Sequence, residues 1–295
     1  MSSVKRVSQI VAAALALAAP MSTMASGPAI RATPVAVESC PARSLLLSFD
    51  VYRFGTHLGQ APIWRLGTGP AFYFESGFLV DADGAPNAYN ADNTGLDDLS
   101  NAGEPGGWDG IIQNEDGEPA VQGPDDPFPG YYISCTSLFD PTKHHRDPAR
   151  FVNATEVPYV ALPHDLAAQT GTKLGDLVFV VNRHTGQSAW AIFADMGAFG
   201  EGSIALAENL GINSDARRGG TPTGISYVVF PGSGDGQPKS ADQIDMLGEA
   251  LLGSAGGLED IGPCAGNAAE DAEAVVEDGA GEQTPAAQRS GDEGS

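Results

Sequence analysis

The sequence has few cysteines and no long apolar segment. Its three cysteines, Cys40, Cys135 and Cys264, stand far apart, which excludes the paired ligand spacing of a zinc cluster and a dense disulfide framework. We expect one disulfide and one free thiol, with Cys40 and Cys264 as the favoured pair and three free thiols as the alternative. After the first 25 residues, no stretch approaches the roughly 20 apolar residues that a membrane-spanning helix needs.

Motifs of nucleotide enzymes and of several hydrolase classes are also missing. The chain has no P-loop, no G-x-G-x-x-G turn, no H-E-x-x-H helix and no G-x-S-x-G elbow, which weighs against nucleotide enzymes, zincins and serine hydrolases. His144 and His145 lack a partner at metal-ligand spacing, and the D-A-D-G-A segment from Asp81 lacks the closing Glu of an EF-hand loop. We predict no cofactor and no metal.

Basic residues are scarce and unevenly distributed. The chain has 38 acidic and 15 basic residues and a formal net charge of -23, which argues against nucleic acid or an anionic membrane as a partner. No Lys or Arg lies between Arg65 and Lys143, whereas that interval contains fourteen Asp and Glu residues. Two interpretations stay open, an acidic surface that favours solubility or a groove for a polycation.

The two ends of the chain differ in composition from the middle. Residues 1–25 are typical of a signal peptide, because Lys5 and Arg6 precede an apolar run that ends in small residues. Residues 26–44 are expected to form a flexible leader, 45–262 a single folded domain and 263–295 a disordered acidic tail. The mature protein is expected to be secreted, extracellular and monomeric.

The middle of the chain alternates short apolar runs with long loops. We predict strands at residues 44–52, 71–80, 131–134, 157–162, 177–182, 188–195 and 225–230. We predict helices at residues 202–210 and 241–252, a possible short helix at 96–102, and loops at 55–70 and across most of 81–130. Many short strands with two or three short helices favour a β-barrel or sandwich over an alternating α/β fold.

Residues 191–212, AIFADMGAFGEGSIALAENLGI, change from a strand-like run to helical spacing across a Gly-containing turn. Asp195 ends the strand and Glu201 opens the predicted helix. A helix N-terminus stabilises a carboxylate, which favours Glu201 as a general base, and the apolar neighbours of Asp195 favour it as an acid. The alternatives are an ordinary capping Glu and an ordinary turn-forming Asp.

Several stretches in consistent order resemble the chitosanases of glycoside hydrolase family 75. They are DADGAPNAYN (81–90), LDDLSNAGEPGGWDG (96–110), QGPDDPFPGYYISCTSL (122–138), VPYVALP (157–163), GDLVFVVN (175–182), residues 191–212 and YVVFPGSGDGQP (227–238). The segment 175–212 also resembles part of the double-psi β-barrels of expansins and the rare lipoprotein A family. The fold expectation is therefore a mainly β, six-stranded barrel of double-psi type with a few short helices and long loops.

The resemblance implies a secreted endo-chitosanase that cleaves β-1,4 linkages between glucosamine residues with inversion. It implies that the essential carboxylates are Asp195 of A-x-x-A-D and Glu201 of G-E-x-S. The family commonly has D-x-G-P and a longer linker, whereas this chain has Ala198 after Gly197 and a short loop. An inverting pair needs carboxyl groups roughly 6.5 to 9.5 Å apart.

Further residues are candidates for binding the sugar. Carboxylates suit glucosamine ammonium groups and aromatic rings suit pyranose faces, which selects Asp81, Asp83, Asn87, Tyr89, Asn90, Trp108 and Tyr131 as substrate-binding candidates. Tyr132 and Trp190 are further stacking candidates. The alternatives are an Asx-rich turn and ordinary core aromatics. Chitosan is the expected partner, and the competing function is a non-catalytic, expansin-like binder of cationic polysaccharide.

Overall fold

The computed structural model describes residues 43–53 and 55–254. The predicted signal peptide, the acidic tail and the proposed Cys40–Cys264 pair lie outside these residues, as does the predicted leader apart from positions 43 and 44. Those two positions belong to the first strand. Cys135 is a free thiol. Within the described ranges no helix is both long and apolar enough to cross a membrane.

Ten strands, three α-helices and two short 3-10 helices make up the described part of the chain. The strands are β1 (Arg43–Arg53), β2 (Thr56–Leu66), β3 (Phe72–Asp81), β4 (Gly103–Glu104), β5 (Gly107–Trp108), β6 (Tyr159–Leu162), β7 (Leu177–Asn182), β8 (Ser188–Met196), β9 (Glu201–Ser203) and β10 (Thr221–Phe230). The helices are α1 (His164–Thr170), α2 (Ile204–Asn209) and α3 (Ala241–Ser254), and the 3-10 helices are Leu99–Ala102 and Pro148–Arg150.

Six strands close into a barrel. Their order is β3-β10-β7-β8-β6-β9, and β9 pairs back onto β3. The β3–β9 and β6–β8 pairs are parallel, and the other four pairs are antiparallel. The predicted mainly β, six-stranded barrel with a few short helices and long loops is confirmed, and it is consistent with the double-psi type.

The barrel strands read as nearly continuous apolar runs because both of their faces are covered. All four residues of β6 are buried, as are six consecutive residues of β8. Aromatic rings fill the interior, where Phe74 and Tyr227 stack with ring centroids 4.8 Å apart. The predicted strands at 177–182, 188–195 and 225–230 therefore lie within β7, β8 and β10.

The hairpin of β1 and β2 projects from the barrel. Strand β2 joins β3 through only two residue pairs, Trp64 with Tyr73 and Arg65 with Phe72. The predicted loop at 55–70 is wrong, because residues 56–66 pair along almost their whole length with β1. Gly59 and Pro62 suggested a break in structure, but Gly59 lies beside a register shift in β1, where a positive φ fits a bulge.

Three further elements differ from the predictions. Residues 131–134 form isolated bridges rather than a strand, and the short elements α1 and β9 were missed. Strand β9 has three residues and exists because β3 and β6 pair with its two sides. Local sequence carries no signal for such a strand.

Candidate active site

Asp195 and Glu201 lie on opposite sides of one residue of β6. Ala161 pairs with Asp195 of β8 and with Glu201 of β9. Directly paired residues project to the same face of a sheet, and neighbouring strands are about 4.8 Å apart, so the two α-carbons are separated by roughly 10 Å. The fold therefore directs both side chains to one face, from backbone positions two strand spacings apart.

Glu201 begins strand β9 and not a helix, so the predicted helix-N-terminal position is wrong. Helix α2 starts at Ile204, and Ser203 is its N-cap, accepting a hydrogen bond from the Leu206 amide. Pairing of Glu201 with Leu79 and Ala161 in the closed barrel overrides the local helical pattern. The helix dipole consequently gives no reason for Glu201 to stay ionised.

The Glu201 carboxyl group is held in a tight, mostly dry position. Its Oε2 accepts a hydrogen bond of 2.5 Å from the Ala198 amide. Burial raises the pKa of Glu201 to about 7, against the lowering effect of that bond, and the negative charge of Asp195 adds to the rise. A side chain at Gly197 would collide with this carboxyl group, so glycine makes room for it.

Asp195 is held by three hydrogen bonds to one oxygen. Its Oδ1 accepts from the Ser137 amide at 2.9 Å, from the Ser137 hydroxyl at 2.6 Å and from the Met196 amide at 2.8 Å. Burial raises the pKa of Asp195 to about 6, and these bonds oppose the rise. Three hydrogen bonds favour the charged form of Asp195, against one for Glu201, whereas the sequence favoured a charge on Glu201.

Two further aspartates lie beside Asp195. Asp81 ends β3, where its Oδ1 accepts from the Asp83 amide at 2.8 Å and its Oδ2 accepts from the Tyr159 hydroxyl at 2.9 Å. The Tyr89 hydroxyl donates to Asp83 Oδ1 at 2.7 Å. One carboxylate oxygen from each of Asp81, Asp83 and Asp195 lies within 4.8 Å of the other two. We call these three residues the aspartate trio.

Burial disfavours a negative charge on Asp81 and Asp83. It raises the pKa of Asp81 well above its usual range, with the charges of Glu201 and Asp195 adding to the rise. It raises the pKa of Asp83 in the same way, with Asp81 and Asp195 adding to the rise. A protonated Asp81 fits the geometry, because the Tyr159 hydroxyl can donate to the Asp83 carbonyl at 3.1 Å and accept from Asp81 instead.

The trio can share one small polar species. Its three oxygens lie no more than 4.8 Å from one another, so a point between them is at most about 2.8 Å from each, which is within hydrogen-bond length. A water molecule or an ammonium group at such a point can contact all three carboxyl groups. Carboxylate oxygens also suit a hard cation such as Mg²⁺ or Ca²⁺. Among the described residues, the trio is a group whose oxygens lie close enough together to bind such an ion. That the protein needs no metal or cofactor stays a prediction.

The trio opens into a cleft of about 530 Å³. Asp81, Asp83, Asp97 and Glu201 line it, together with Tyr52, Arg53, Tyr89 and Arg217. Asp195 does not line the cleft itself, but one of its carboxylate oxygens lies within 4.8 Å of oxygens of Asp81 and Asp83, which do. The Arg217 guanidinium donates to the main-chain oxygens of Asn93 and Asp97, both at 2.8 Å, and thereby fixes one wall of the cleft.

The structure brings together five of the nine residues predicted for the site. They are Asp81, Asp83, Tyr89, Asp195 and Glu201. Asn87 lines a different cavity, beside Phe128 and Lys239. The Asn90 side chain accepts from the Thr94 amide and donates to the Thr94 hydroxyl, which stabilises a turn.

Apart from Tyr89, the predicted aromatic residues do not line the cleft. Trp108 packs against Tyr132 with ring centroids 6.5 Å apart, and Tyr131 meets the edge of Phe128. Trp190 is buried between Phe179 and Phe230.

Sequence reasoning missed residues that hold the carboxyl groups in place. Tyr159 occurs inside an apolar strand, where nothing distinguishes it from a core tyrosine. Ser137 belongs to a long loop, and Arg217 lies in a turn between α2 and β10, far along the chain. Asp97 is one of the fourteen acidic residues between Arg65 and Lys143, and the sequence gives no sign that it, rather than another of them, lines the cleft.

A scan against models of known protein families and a search of curated proteins both find no match to this chain. The function is therefore argued from the geometry and charge of the site.

Proposed function

We propose that the protein is a secreted endo-chitosanase that hydrolyses β-1,4 linkages of chitosan with inversion. The observation that carries this proposal is the pairing of Asp195 and Glu201 with the two sides of Ala161. Two carboxyl groups on one face, with α-carbons two strand spacings apart, suit an inverting pair that must admit a water between base and sugar. The resemblance of residues 191–212 to family 75 chitosanases supports the same pair.

The different proton affinities of the two carboxyl groups assign the roles of general acid and general base. Glu201, with its pKa raised to about 7, gives its proton to the leaving glycosidic oxygen. Asp195, whose charge three hydrogen bonds support, takes a proton from the attacking water as that water forms the new bond to the anomeric carbon. The base and the acid then exchange their protons with solvent, which resets the site.

The aspartate trio supplies the position for the attacking water. A water at its centre is within hydrogen-bond distance of Asp195 and also touches Asp81 and Asp83, which line the cleft. Tyr159 and Tyr89 fix those two side chains through their hydroxyl groups. Fixed donors and acceptors of this kind lower the entropic barrier of the reaction.

Charge supports a cationic substrate. Asp97, Glu201 and two members of the trio line the cleft beside Arg53, Arg217 and Arg218, and an ammonium group of glucosamine offsets the repulsion between neighbouring carboxylates. Exposed ion pairs contribute only about 0.2 to 1 kcal/mol each and weaken with salt. We therefore expect the KM for chitosan to rise with ionic strength, and less so for a highly acetylated substrate.

The test compares release of reducing ends from chitosan, chitin and carboxymethyl cellulose. Release from chitosan alone, with the α-anomer as the first product seen by NMR, is the expected result. Retention on a chitosan column without any release would instead favour the non-catalytic, expansin-like binder. Activity that disappears after treatment with EDTA and returns with Ca²⁺ or Mg²⁺ would assign the trio to a metal ion.

A further inference from the structure

A groove leaves the cleft and runs beneath the β1–β2 hairpin. It consists of a narrow cavity of about 140 Å³ followed by a wider one of about 830 Å³. The cleft and the narrow cavity share Arg53 and Leu79 in their walls. The narrow and wide cavities share Leu58 and Phe199. The three spaces therefore adjoin one another in sequence, with the narrow cavity between the cleft and the wider one.

The hairpin forms one wall of this groove and the barrel forms the other. Gln60 stands on the hairpin side, and His184 and Pro222 stand on the barrel side. Tyr52 at the junction with the cleft is 57% exposed, and Leu58 over the groove is 60% exposed. Exposed apolar side chains along a groove provide contact surface for the apolar faces of pyranose rings.

The charge of the groove differs from that of the cleft. Glu75 is the only carboxylate among its lining residues. Its Oε1 pairs with the Arg183 guanidinium at 2.6 Å and also accepts from the Ser226 hydroxyl. The cleft has four lining carboxyl groups, whereas the single carboxylate of the groove is already paired with Arg183. An ammonium group therefore gains little electrostatic stabilisation in the groove.

We propose that this groove binds further sugar residues of the same β-1,4-linked glycan and accepts N-acetylated residues as well as free amines. The proposal rests on the proposed function, because the groove is the continuation of that cleft. The cleft selects for glucosamine by charge, and the groove adds affinity by contact with the sugar rings. Long, partly acetylated chains are then better substrates than short oligomers.

The experiment uses Leu58→Ser and His184→Ala, which alter the groove but not the cleft. Leu45→Ser is the matched control, because Leu45 is exposed on the same hairpin and lines neither cleft nor groove. The kcat/KM is measured for polymeric chitosan and for the glucosamine trisaccharide. In each groove variant we expect the polymer value to fall about tenfold relative to the trisaccharide value, equivalent to about 1.4 kcal/mol.

The outcomes separate this proposal from the proposed function. Equal effects on polymer and trisaccharide, or no effect on either, would contradict sugar binding in the groove without contradicting the proposed hydrolase activity. A wild-type protein that cleaves neither substrate would overturn the hydrolase. The groove is then tested by calorimetry with fully acetylated and fully deacetylated hexasaccharides, and binding of the acetylated one that Leu58→Ser does not weaken would overturn the groove.

Discussion

Asp195 and Glu201 are joined through a single alanine, since each pairs with Ala161 from a different side of β6. Their spacing is therefore a property of the barrel and not of the five-residue loop between them. A shorter loop than is common in family 75 chitosanases is compatible with this arrangement, because the loop only has to connect two strands whose positions β6 determines. Gly200, with a φ of +81°, makes the turn into β9.

The first prediction concerns the two proposed catalytic carboxyl groups. Asp195→Asn and Glu201→Gln should each lower kcat on chitosan by at least about 100-fold, because general acid and base catalysis contribute 10²- to 10⁴-fold. Both amides keep an oxygen that accepts the existing backbone hydrogen bonds, so both variants should fold and should melt no lower than the wild type. Glu118→Gln, an exposed acid outside the cleft, is the matched control. Wild-type turnover in either variant would remove that residue from the site.

The second prediction is a bell-shaped dependence of kcat/KM on pH. Activity should rise as Asp195 loses its proton near pH 6 and fall as Glu201 loses its proton near pH 7. The charge of Asp97 contributes to the raised pKa of Glu201. Asp97→Asn should therefore move the alkaline limb to lower pH and leave the acid limb in place. A movement of the acid limb instead would assign the acid role to Asp195.

The third prediction concerns Ser137, a positioning residue for Asp195. Ser137→Ala removes the hydroxyl that donates to Asp195 Oδ1 at 2.6 Å and keeps the amide that donates at 2.9 Å. Because the lost bond favours the charged carboxylate, the pKa of Asp195 should rise and the acid limb of the pH profile should move to higher pH. Ser100→Ala removes a comparable hydroxyl from exposed Asp98 and should leave the profile unchanged. An unmoved acid limb in Ser137→Ala would contradict the role of Asp195 as the base.

The fourth prediction concerns the space that Gly197 leaves for Glu201. Gly197→Ala places a methyl group against the Glu201 carboxyl group. A displacement of about 1 Å in a reacting group can lower the rate about 100-fold, so kcat should fall strongly. Gly107→Ala, where a methyl group meets nothing within 4 Å, is the control. Full activity in Gly197→Ala would show that the position of Glu201 is not critical.

The sequence predicts the barrel well where a strand forms an apolar run of its own. The runs at 177–182, 188–195 and 225–230 are long enough and apolar enough to be recognised locally. Strand β2 was missed because Gly59 and Pro62 interrupt it, although its pairing with β1 tolerates both. In that case a long-range contact outweighed local turn chemistry.

The candidate site was predictable only in part, for a similar reason. Asp195 and Glu201 occur in one short motif, so a local pattern could select them. The pKa of Asp195 depends on Ser137 and the pKa of Glu201 depends on Asp97, residues of other segments that the fold brings close to them. The helix expected at Glu201 led to the opposite assignment of acid and base, because the partners that determine burial are remote in sequence.

The last prediction concerns the stability of the folded protein at Asp81. Burial raises the pKa of Asp81 in the folded state, whereas in the unfolded chain it is about 3.9. Above that pH the folded protein binds more protons than the unfolded chain, so the free energy of unfolding falls as pH rises toward the folded-state pKa. Asp81→Asn removes this penalty. Its Nδ2 can donate to the Tyr159 hydroxyl, which then donates to the Asp83 carbonyl.

Asp81→Asn should therefore melt a few degrees above the wild type at pH 8, since 1 kcal/mol corresponds to about 2 to 4 °C in a domain of this size. The difference should shrink at pH 4, as measured by calorimetry across that range. Asp140→Asn is the control with the opposite sign, because hydrogen bonds from Thr142 lower the pKa of Asp140 and favour its charge.

The same Asp81 variant should lose activity, because the trio loses a carboxyl group beside the attacking water. A stabilised variant with full activity would separate the trio from the reaction, and a melting difference independent of pH would show that Asp81 is ionised throughout.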